Sequence, residues 1–350
     1  MPAAEDYIRR CFTLARLGAG YVSPNPMVGA VIVYEDRILG EGWHQRYGEA
    51  HAEVNAITSV KPVERPLLRR ATLYCSLEPC AHHGKTPPCV DLLLKEEIPE
   101  VVVSNTDPNP LVSGKSLARL RAAGVRVRTG VLEREGRYLN RAFFTWILQR
   151  RSHIILKWAQ SADGFLGRPG ERTPITSPLA QRLTHRWRTE ADAVLVGTRT
   201  AVVDNPRLDN RHYFGPPPLR IALDFEGKLL LSAHLLDDSQ PTWILGPERP
   251  GRWKNTYFWH VPARQAEGRR WWISFLLEKL REAEKGILLV EGGADILRQF
   301  FELDCWDEIR VLQSPFYLHH GIEAPRLPEI AVLQEEWRVG NDIVRLWTRP

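Results

Sequence analysis

The hydrophobic residues of this chain recur with two periods, one typical of helices and the other typical of strands. At the start, apolar residues at Tyr7, Ile8, Cys11 and Leu14 lie three or four positions apart or adjacent, which predicts an amphipathic helix. Short apolar runs flanked by turn-forming residues predict strands. For the first half the pattern predicts a helix at 4–17, a strand hairpin at 28–33 and 37–43, a helix at 51–60, a strand at 71–77, a helix at 88–97, a strand at 100–104, a helix at 116–123, a strand at 125–129 and a helix at 133–149.

The second half of the chain starts a new series of strands and helices at residue 153. Ser177 followed by Pro178 is a typical helix start, because serine caps free backbone N–H groups and proline fits the first turn. The pattern predicts strands at 153–158, 193–197, 219–225, 242–246, 286–291 and 308–313, with 308–313 as the last core strand, and helices at 178–189 and 294–301. Residues 247–285 show no clear pattern.

The alternation of strands and helices indicates the α/β class for both halves. A chain of 350 residues favours two domains. No linker rich in Gly, Ser or Pro separates the two series of elements, so we place the boundary near residue 150. The expected domains are therefore residues 1–150 and residues 151–350.

The composition excludes several classes of protein. Hydrophobic residues make up 43% of the chain, enough for packed cores, and no apolar run approaches the ~20 residues of a membrane helix. The acidic N-terminus lacks the basic and apolar regions of a signal peptide, and the cysteines lack a disulfide-framework pattern, so we expect a cytoplasmic protein. The net charge of +5 is scattered along the chain, unlike the dense basic stripe of a nucleic-acid binder. It suits a small phosphorylated substrate equally well.

The segment from His51 to Cys89 carries the side chains most suited to chemistry. His51, Cys80 and Cys89 supply one imidazole and two thiols, a ligand set that suits tetrahedral zinc and leaves a fourth position for water. Zinc lowers the pKa of its bound water to ~7. Glu53, two residues after the histidine, can take up the released proton and return it to a departing amine. The pattern therefore predicts hydrolytic deamination.

The spacing of the two cysteines differs from the general deaminase signature, in which H-x-E is followed by P-C-x-x-C. Here eight residues separate Cys80 from Cys89, and they include two histidines, a glycine and Lys85. A loop of this composition beside a metal is suited to binding an anion. Two alternatives stay open from the residues alone: a closed structural zinc site with His82 or Cys75 as fourth ligand, or cysteines that are simply buried.

The second half carries three weaker signals. Gly292 and Gly293 separate a strand from a helix, where backbone N–H groups can approach a phosphate, although most such pairs are only tight turns. They do not form the G-x-G-x-x-G fingerprint, so a Rossmann nucleotide site is unsupported. Lys157 is one amine in an otherwise apolar strand, either a functional group or an edge lysine whose stem lies along apolar surface. The run 204–206 is equally consistent with a bare turn.

Several motifs together resemble the bifunctional deaminase–reductases of riboflavin biosynthesis over nearly the whole chain. They are residues 23–26, 28–31, 51–53, 78–89 and 107–110 in the first half, and residues 157–164, 185–188, 196–208, 211 and 290–293 in the second. In that family the long cysteine spacing is the rule. The resemblance implies a cytidine-deaminase-like three-layer α/β/α domain followed by a dihydrofolate-reductase-like α/β domain. It also implies one zinc ion per chain, NADPH as cofactor, and a homo-oligomer that is a dimer or a tetramer.

The resemblance further implies two successive reactions on one phosphorylated pyrimidine. The first domain would hydrolyse the exocyclic 2-amino group of 2,5-diamino-6-ribosylamino-4(3H)-pyrimidinone 5′-phosphate. The second would use NADPH to reduce the ribosyl group of 5-amino-6-(5-phosphoribosylamino)uracil to ribityl. Two rival functions are a nucleic-acid deaminase, which should show a basic channel or interleaved aromatic residues, and a non-enzymatic zinc module with four protein ligands.

The resemblance assigns roles to individual side chains. In the first domain His51, Cys80 and Cys89 hold zinc, Glu53 is catalytic, and Asn25, Lys85, Asp107 and Asn109 bind the substrate, with Lys85 at its phosphate. In the second domain Lys157 is catalytic, Arg188, Leu208, Arg211 and Glu291 face the substrate, and Gln160, Thr176, Thr200, Asp204, Gly292 and Gly293 lie along NADPH. The two arginines suit bidentate contacts with phosphate. Pro174 stands where many family members carry tryptophan, which removes a stacking surface for the cofactor.

Overall fold

A computed structural model describes residues 3–81, 88–110, 112–246, 251–261 and 271–350. The chain divides into two compact units, Met1–Arg150 and Arg151–Pro350, which are called the N-terminal and C-terminal domains below. His82 and Lys85 lie outside the described residues, so the predictions made for them stay predictions. Within the described ranges, no helix combines the length and the apolar character needed to cross a membrane.

The N-terminal domain is built on one five-stranded sheet. Its strands are β1 Gly29–Tyr34, β2 Arg37–Trp43, β3 Thr72–Leu77, β4 Glu100–Asn105 and β5 Arg126–Arg128. They lie in the order β2-β1-β3-β4-β5. Strand β1 is antiparallel to both of its neighbours, whereas β3, β4 and β5 are parallel. The carboxyl ends of β3 and β4 therefore meet at one edge of the sheet.

Helices cover both faces of this sheet. They are α1 Ala4–Ala15, α2 Ala52–Ser59, α3 Cys89–Lys95, α4 Lys115–Ala122, α5 Glu133–Leu139 and α6 Arg141–Leu148, with shorter 3-10 helices at Arg16–Gly18 and Pro62–Arg70. On β1, Ala30 and Ile32 pack with α2 and α3, while Val31 and Val33 face α1. All four side chains are buried because neither face meets water. The predicted three-layer α/β/α arrangement is confirmed.

The predicted single helix at 133–149 is wrong, because α5 ends before Asn140 and α6 begins after it. The Asn140 amide forms two hydrogen bonds with the backbone of Met27: its oxygen accepts from Met27 N at 2.8 Å and its nitrogen donates to Met27 O at 2.9 Å. Asparagine readily makes such backbone contacts outside helices. This long-range contact is invisible in a periodic pattern.

The C-terminal domain is built on a ten-stranded sheet in the order β10-β11-β9-β8-β7-β12-β6-β13-β15-β14. The strands are β6 His153–Gln160, β7 Ala193–Val196, β8 Leu219–Leu223, β9 Thr242–Gly246, β10 Gly251–Trp253, β11 Thr256–His260, β12 Ile287–Val290, β13 Glu308–Gln313, β14 Val332–Val339 and β15 Asp342–Thr348. From β11 to β13 all neighbours are parallel. Strand β15 is antiparallel to β13, and β14 pairs with β15 in an antiparallel hairpin at the edge of the sheet.

Four helices of this domain lie on opposite faces of its sheet. They are α7 Pro178–Glu190, α8 Thr198–Val203, α9 Trp271–Glu282 and α10 Ala294–Glu302, and a 3-10 helix spans His234–Leu236. Helices α9 and α10 contribute to one buried cluster, and α7 and α8 to the cluster on the other face. Ser177 caps α7 as predicted, with its hydroxyl accepting from Ala180 N at 3.3 Å.

One prediction for the C-terminal domain is wrong, and one helix is missing from the prediction. Residues 308–313 are not the last core strand, because β15 continues the sheet and buries Val344 and Leu346. Strand β14 is mostly exposed, so its sequence lacks the apolar run that predicts a core strand. Helix α8 is absent from the prediction because its six residues are too short to show a period.

Candidate active sites of the two domains

The N-terminal domain brings His51, Cys80 and Cys89 together at the carboxyl edge of its sheet. His51 precedes α2, Cys80 follows β3, and Cys89 begins α3. Cys80 Sγ and Cys89 Sγ lie 3.4 and 3.3 Å from His51 Nδ1. Among the described residues these three form the group that could hold a metal ion, with their ligand atoms within 4.8 Å of one another.

This donor set fits zinc. One imidazole nitrogen and two sulfurs at Zn–N of ~2.1 Å and Zn–S of ~2.3 Å would lie roughly 3.5 Å apart around a tetrahedral ion, close to the observed contacts. Cys75, an alternative fourth ligand in the sequence prediction, is fully buried inside β3 and is not part of the group. The described side chains thus supply three ligands, as an open catalytic site requires.

The close packing of α2 on β2 positions His51. Gly40 and Gly42 of β2 face this helix, and a Cβ atom at Gly42 would lie 2.3 Å from the backbone nitrogen of Ala56. Only glycine permits this approach. Asn55 also fixes the start of α2, because its side chain donates to Trp43 O at 2.8 Å.

Glu53 lies in the first turn of α2 and is 3% exposed. Burial raises the pKa of this carboxyl, and the neighbouring His51 only partly opposes the shift. In the group formed by His51, Cys80 and Cys89, here called the metal group, hydrogen bonds from the Cys89 thiol and then from His51 hold the pKa of Cys80 well below its usual range. A buried acid beside a thiolate–imidazole group has the composition of an acid–base site at a metal centre.

Asn25 is connected to this site through His44, a buried histidine that sequence analysis did not single out. The Asn25 amide nitrogen lies 3.4 Å from His44 Nε2, and His44 Nδ1 lies 3.1 Å from Ala50 O. Burial lowers the pKa of His44, so the neutral ring donates through Nδ1 and accepts through Nε2. The His44 ring also meets the His51 ring edge-on, with centroids 5.5 Å apart.

Asp107 and Asn109 lie in the loop after β4, next to the segment that carries Cys80. Glu78 holds this loop: its carboxylate accepts from Asp107 N at 3.1 Å, from Gly114 N at 3.0 Å and from the Ser116 hydroxyl. Asp107 in turn accepts from Asn109 N at 2.8 Å. Glu78 belongs to the motif 78–89, but no role for it is recognisable in the sequence, because its partners lie 29 to 38 residues away.

The C-terminal domain contains a cavity of about 1610 Å³. Most of the predicted site residues of this domain line it: Lys157, Thr176, Arg188, Thr200, Asp204, Leu208, Arg211, Glu291, Gly292 and Gly293. Gln160 is not among the lining residues, and its side chain instead accepts from the Trp158 indole at 2.8 Å. Its role toward the cofactor stays a prediction.

Glu291 lies between two cations at the base of this cavity. Arg188 donates to it through Nε at 2.7 Å and through Nη2 at 2.9 Å, and Lys157 Nζ lies 3.6 Å from its second oxygen. Burial would raise the pKa of Glu291, but the attraction of Arg188 and Lys157 prevails and leaves it at about 2. Burial also lowers the pKa of Lys157. Lys157 is therefore part of a buried charge group and not an edge-strand lysine.

Arg188 is fully engaged inside the protein, because its remaining nitrogen Nη1 donates to Asp209 O at 2.9 Å. The same carbonyl lies 2.8 Å from His185 Nδ1, and the Asp209 carboxylate pairs with Arg211. Burial, then Arg188 and Arg211, lower the pKa of His185 to about 4. Of the two arginines predicted at phosphate, Arg211 is the more exposed and the freer to turn toward a ligand.

The turn from β12 into α10 borders the same cavity. A Cβ atom at Gly292 would lie 2.8 Å from the Ile296 side chain, so glycine is required there. Gly293 is the N-cap of α10. A Cβ atom added at Gly293 would lie 3.5 Å from Thr200 Oγ1, its nearest neighbour. A helix N-terminus with uncovered backbone N–H groups suits the phosphates of a dinucleotide.

The two domains match two protein families. Residues 1–105 match the cytidine and deoxycytidylate deaminase zinc-binding region, and residues 152–338 match the RibD C-terminal domain. Together with the sites described above, these matches define a bifunctional enzyme in which a zinc-dependent deaminase precedes an NADPH-dependent reductase.

Full-length relatives share this organisation. The riboflavin biosynthesis protein RibD of Aquifex aeolicus is 40% identical over 99% of this chain and 98% of its own length, and that of Escherichia coli is 36% identical over 89% and 87%. The chain belongs to the RibD family of riboflavin biosynthesis enzymes. The crystal structure of a Thermotoga maritima diaminohydroxyphosphoribosylaminopyrimidine deaminase/5-amino-6-(5-phosphoribosylamino)uracil reductase covers 99% of both chains with 31% identity and a TM-score of 0.88. The predicted fold class, both activities, zinc and NADPH are thereby confirmed.

Proposed function

We propose that this enzyme carries out both reactions named for its Thermotoga relative, on one phosphorylated pyrimidine. The N-terminal domain removes the 2-amino group of 2,5-diamino-6-ribosylamino-4(3H)-pyrimidinone 5′-phosphate, and the C-terminal domain reduces the ribosyl group of the product to ribityl. The observation that carries the proposal is the grouping of His51, Cys80 and Cys89 beside the buried Glu53. This group supplies the three zinc ligands and the proton acceptor that a deaminase of the matched family would need.

In the deaminase site, His51, Cys80 and Cys89 would hold zinc, which supplies a hydroxide-like water near neutral pH. The buried Glu53 carboxylate accepts the proton of the attacking water and returns it to the departing amino group, which leaves as ammonia. The raised pKa of Glu53 suits a group that must both accept and donate a proton. Asn25, Asp107 and Asn109 are the proposed contacts to the pyrimidine, and Lys85 the contact to phosphate.

In the reductase site, NADPH supplies a hydride to C1′ of the ribosyl group. The C1′–O4′ bond breaks as the ring opens, and O4′ must receive a proton. Lys157 is a buried ammonium whose pKa is lowered by burial, so it is a suitable donor to this oxygen. Glu291 pairs with this ammonium and is itself held by Arg188. Leu208 and Arg211 are the proposed substrate contacts.

The cofactor is proposed to lie along Thr176, Thr200, Asp204 and the 291–294 turn, with its phosphates at the start of α10. The lining of the cavity contains nine Lys or Arg and five Asp or Glu side chains. This excess of positive charge suits two phosphorylated ligands. We further propose that the enzyme acts in the cytoplasm as a homo-oligomer, either a dimer or a tetramer.

The proposal is tested with purified protein and the diamino substrate, with and without NADPH, and with products identified by mass. The deaminated pyrimidine should form without NADPH, and the ribityl product should need it. Zinc analysis of the Cys80→Ser variant should show loss of the metal together with deamination. The matched control is Cys75→Ser, a buried cysteine outside the metal group, which should retain one zinc per chain. Full zinc occupancy in the Cys80→Ser protein would contradict the ligand assignment.

A further inference from the structure

Arg220 is a fully buried arginine in β8 that does not line the reductase cavity. Its guanidinium is engaged through all three nitrogens. Nε donates to Thr242 Oγ1 at 2.8 Å, and Nη2 donates to Gln240 O at 3.1 Å. Nη1 faces Arg207 O at 3.4 Å, His234 O at 3.0 Å and Asp237 Oδ1 at 3.0 Å.

Two of these acceptors belong to residues that line the cavity, Arg207 and His234. Arg207 lies in the segment 204–208, which follows α8 and forms part of the cavity wall. This segment contains two non-glycine residues with positive φ, Asn205 at 40° and Leu208 at 51°. Such a backbone persists only where its surroundings hold it in place.

Two further contacts hold the same segment. The Gln240 side chain donates to Leu208 O at 3.4 Å and to Pro218 O at 3.1 Å, and Asn205 Oδ1 accepts from His234 N at 2.8 Å. The backbone oxygen of Gln240 is itself an acceptor for Arg220. Arg220 and Gln240 therefore form one buried polar group behind the cavity wall, here called the Arg220–Gln240 clamp.

We propose that the Arg220–Gln240 clamp is a positioning element of the reductase, which holds Leu208 and its neighbours in the conformation that binds the pyrimidine substrate. The clamp touches neither substrate nor cofactor and acts through the carbonyl groups of Arg207 and Leu208. This inference rests on the proposed function, because Leu208 is a substrate contact only under that proposal. It adds two residues that sequence patterns do not single out.

Arginine is required at position 220 because its planar group places donors in three directions. Lysine keeps the positive charge beside Asp237 but has one nitrogen, which cannot reach Thr242, Gln240 and Arg207 together. Methionine at position 240 keeps the size of the side chain and removes only the donor to Leu208 O and Pro218 O. The two variants thus weaken the clamp at two different points.

The test is steady-state reduction of the deaminated intermediate by the full-length chain, with KM and kcat measured for Arg220→Lys and Gln240→Met. We expect KM for the intermediate to rise by about tenfold in Arg220→Lys and by a smaller factor in Gln240→Met, since a shift of 1 Å in a binding group can cost up to ~10²-fold. KM for NADPH should change less. A purely structural role would lower the amount of active enzyme, and hence Vmax, without changing KM.

Two controls separate the possible outcomes. Arg151→Lys removes the bidentate contact of a half-buried arginine of this domain, whose partner Asp307 lies outside the cavity lining, and should leave KM unchanged. Deamination by each preparation should stay normal, which shows that the N-terminal domain is intact and that any loss is confined to the C-terminal domain. If Arg220→Lys fails to fold, Gln240→Met decides. Unchanged KM values in the folded variants, or an equal rise in Arg151→Lys, would overturn the inference, whereas a wild-type chain that does not oxidise NADPH would overturn the proposed function instead.

Discussion

At the scale of single residues, the reductase site shows how neighbours set the charge of a buried group. Glu291 stays ionised because Arg188 and Lys157 surround it, while His185, packed beside Arg188 and Arg211, stays neutral. An unpaired charge in such a place would be costly. The neutral His185 ring and the charged Arg188 thus both donate hydrogen bonds to the Asp209 carbonyl oxygen.

His185 should make the C-terminal domain sensitive to mild acid. Its pKa of about 4 in the folded protein lies below the ordinary 6.5, so the unfolded chain binds a proton at a pH where the folded chain does not. The free energy of unfolding should therefore fall as pH decreases from about 6.5 to about 4. Since one pKa unit corresponds to ~1.36 kcal/mol, the free energy of unfolding should fall by about 3 kcal/mol over this range. Urea unfolding of the domain across this range measures it.

The His185→Gln variant should lose this part of the pH dependence, because glutamine does not titrate. His212→Gln is the matched control: His212 lies edge-on to His185, with ring centroids 4.7 Å apart, but is exposed. The profile of His212→Gln should stay close to that of the wild type, because His212 contributes the smallest of the effects that lower the pKa of His185. A His185→Gln protein whose stability falls as steeply as that of the wild type would assign the acid sensitivity to another group.

Residue types predicted the metal group but not the side chains that support it. His51, Cys80 and Cys89 are recognisable because few side chains bind zinc, and their local spacing is characteristic. The side chains of Glu78 and His185 bind backbone groups far away in the sequence, at Gly114 and Asp209. Any polar residue can do this, and only the folded chain shows which one does.

At the scale of elements, the sequence predicts most strands and helices near the observed bounds. The hairpin around Glu35 and Asp36 is an example, since both residues adopt positive φ, as a tight turn between antiparallel strands requires. Predictions failed where tertiary contacts override the period, as at Asn140, or where a strand lies at an exposed edge, as β14 does. The segment 251–260 forms β10 and β11, although its mixed pattern had predicted neither.

Glu78 joins two elements, the end of β3 and the loop that leads into α4, and its replacement should loosen that loop. In Glu78→Gln one oxygen can still accept from the backbone N–H groups of Asp107 and Gly114, but the negative charge is lost and the new amide N–H₂ replaces the oxygen that accepts from the Ser116 hydroxyl. We expect the free energy of unfolding of the N-terminal domain to fall by about 2 kcal/mol, the scale of a lost hydrogen bond to a charged group. KM for deamination should rise while zinc content stays at one per chain.

Glu41→Gln is the control for Glu78→Gln. Glu41 pairs with Arg10 at the surface of the same domain, where an ion pair contributes little, so stability and KM should stay close to wild type. Loss of zinc from Glu78→Gln would show that the residue supports the metal group and not the loop. Equal behaviour of the two variants would remove any special role for Glu78.

At the scale of the whole molecule, each compact unit contains a complete set of proposed site residues. The metal group and Glu53 fall within Met1–Arg150, and every residue lining the reductase cavity falls within Arg151–Pro350. Within the part of the chain that the structure describes, neither set includes a side chain from the other domain. The two reactions should therefore be separable by mutation within one chain.

Glu53→Gln should keep zinc and lose deamination by about 10⁴-fold, the upper end for a positioned acid–base group, yet reduce the deaminated intermediate at the wild-type rate. Lys157→Ala should deaminate normally and stop there. Product masses and NADPH absorbance, with each variant supplied with the intermediate, measure both. If Glu53→Gln also abolished reduction, the two sites would be coupled.

Lys228→Ala serves as the matched control for Lys157→Ala. Lys228 also lines the reductase cavity, but it is exposed and pairs with Glu226 at the surface. Its removal should affect reduction much less than the removal of Lys157. Equal losses in the two variants would indicate that positive charge in the cavity matters more than the position of the amine.

The parallel pairing of β3 and β4 has a consequence for how this deaminase domain could diversify. The segment after β3 carries Cys80, a proposed metal ligand, while the neighbouring segment after β4 carries the proposed pyrimidine contacts Asp107 and Asn109. Substitutions or insertions after β4 could alter which heterocycle is accepted without disturbing hydrolysis itself. New substrate preferences can thus arise at the end of β4 while the end of β3 keeps the residues for the reaction. Glu78 limits such changes, because it binds the loop after β4 and lies two residues before Cys80.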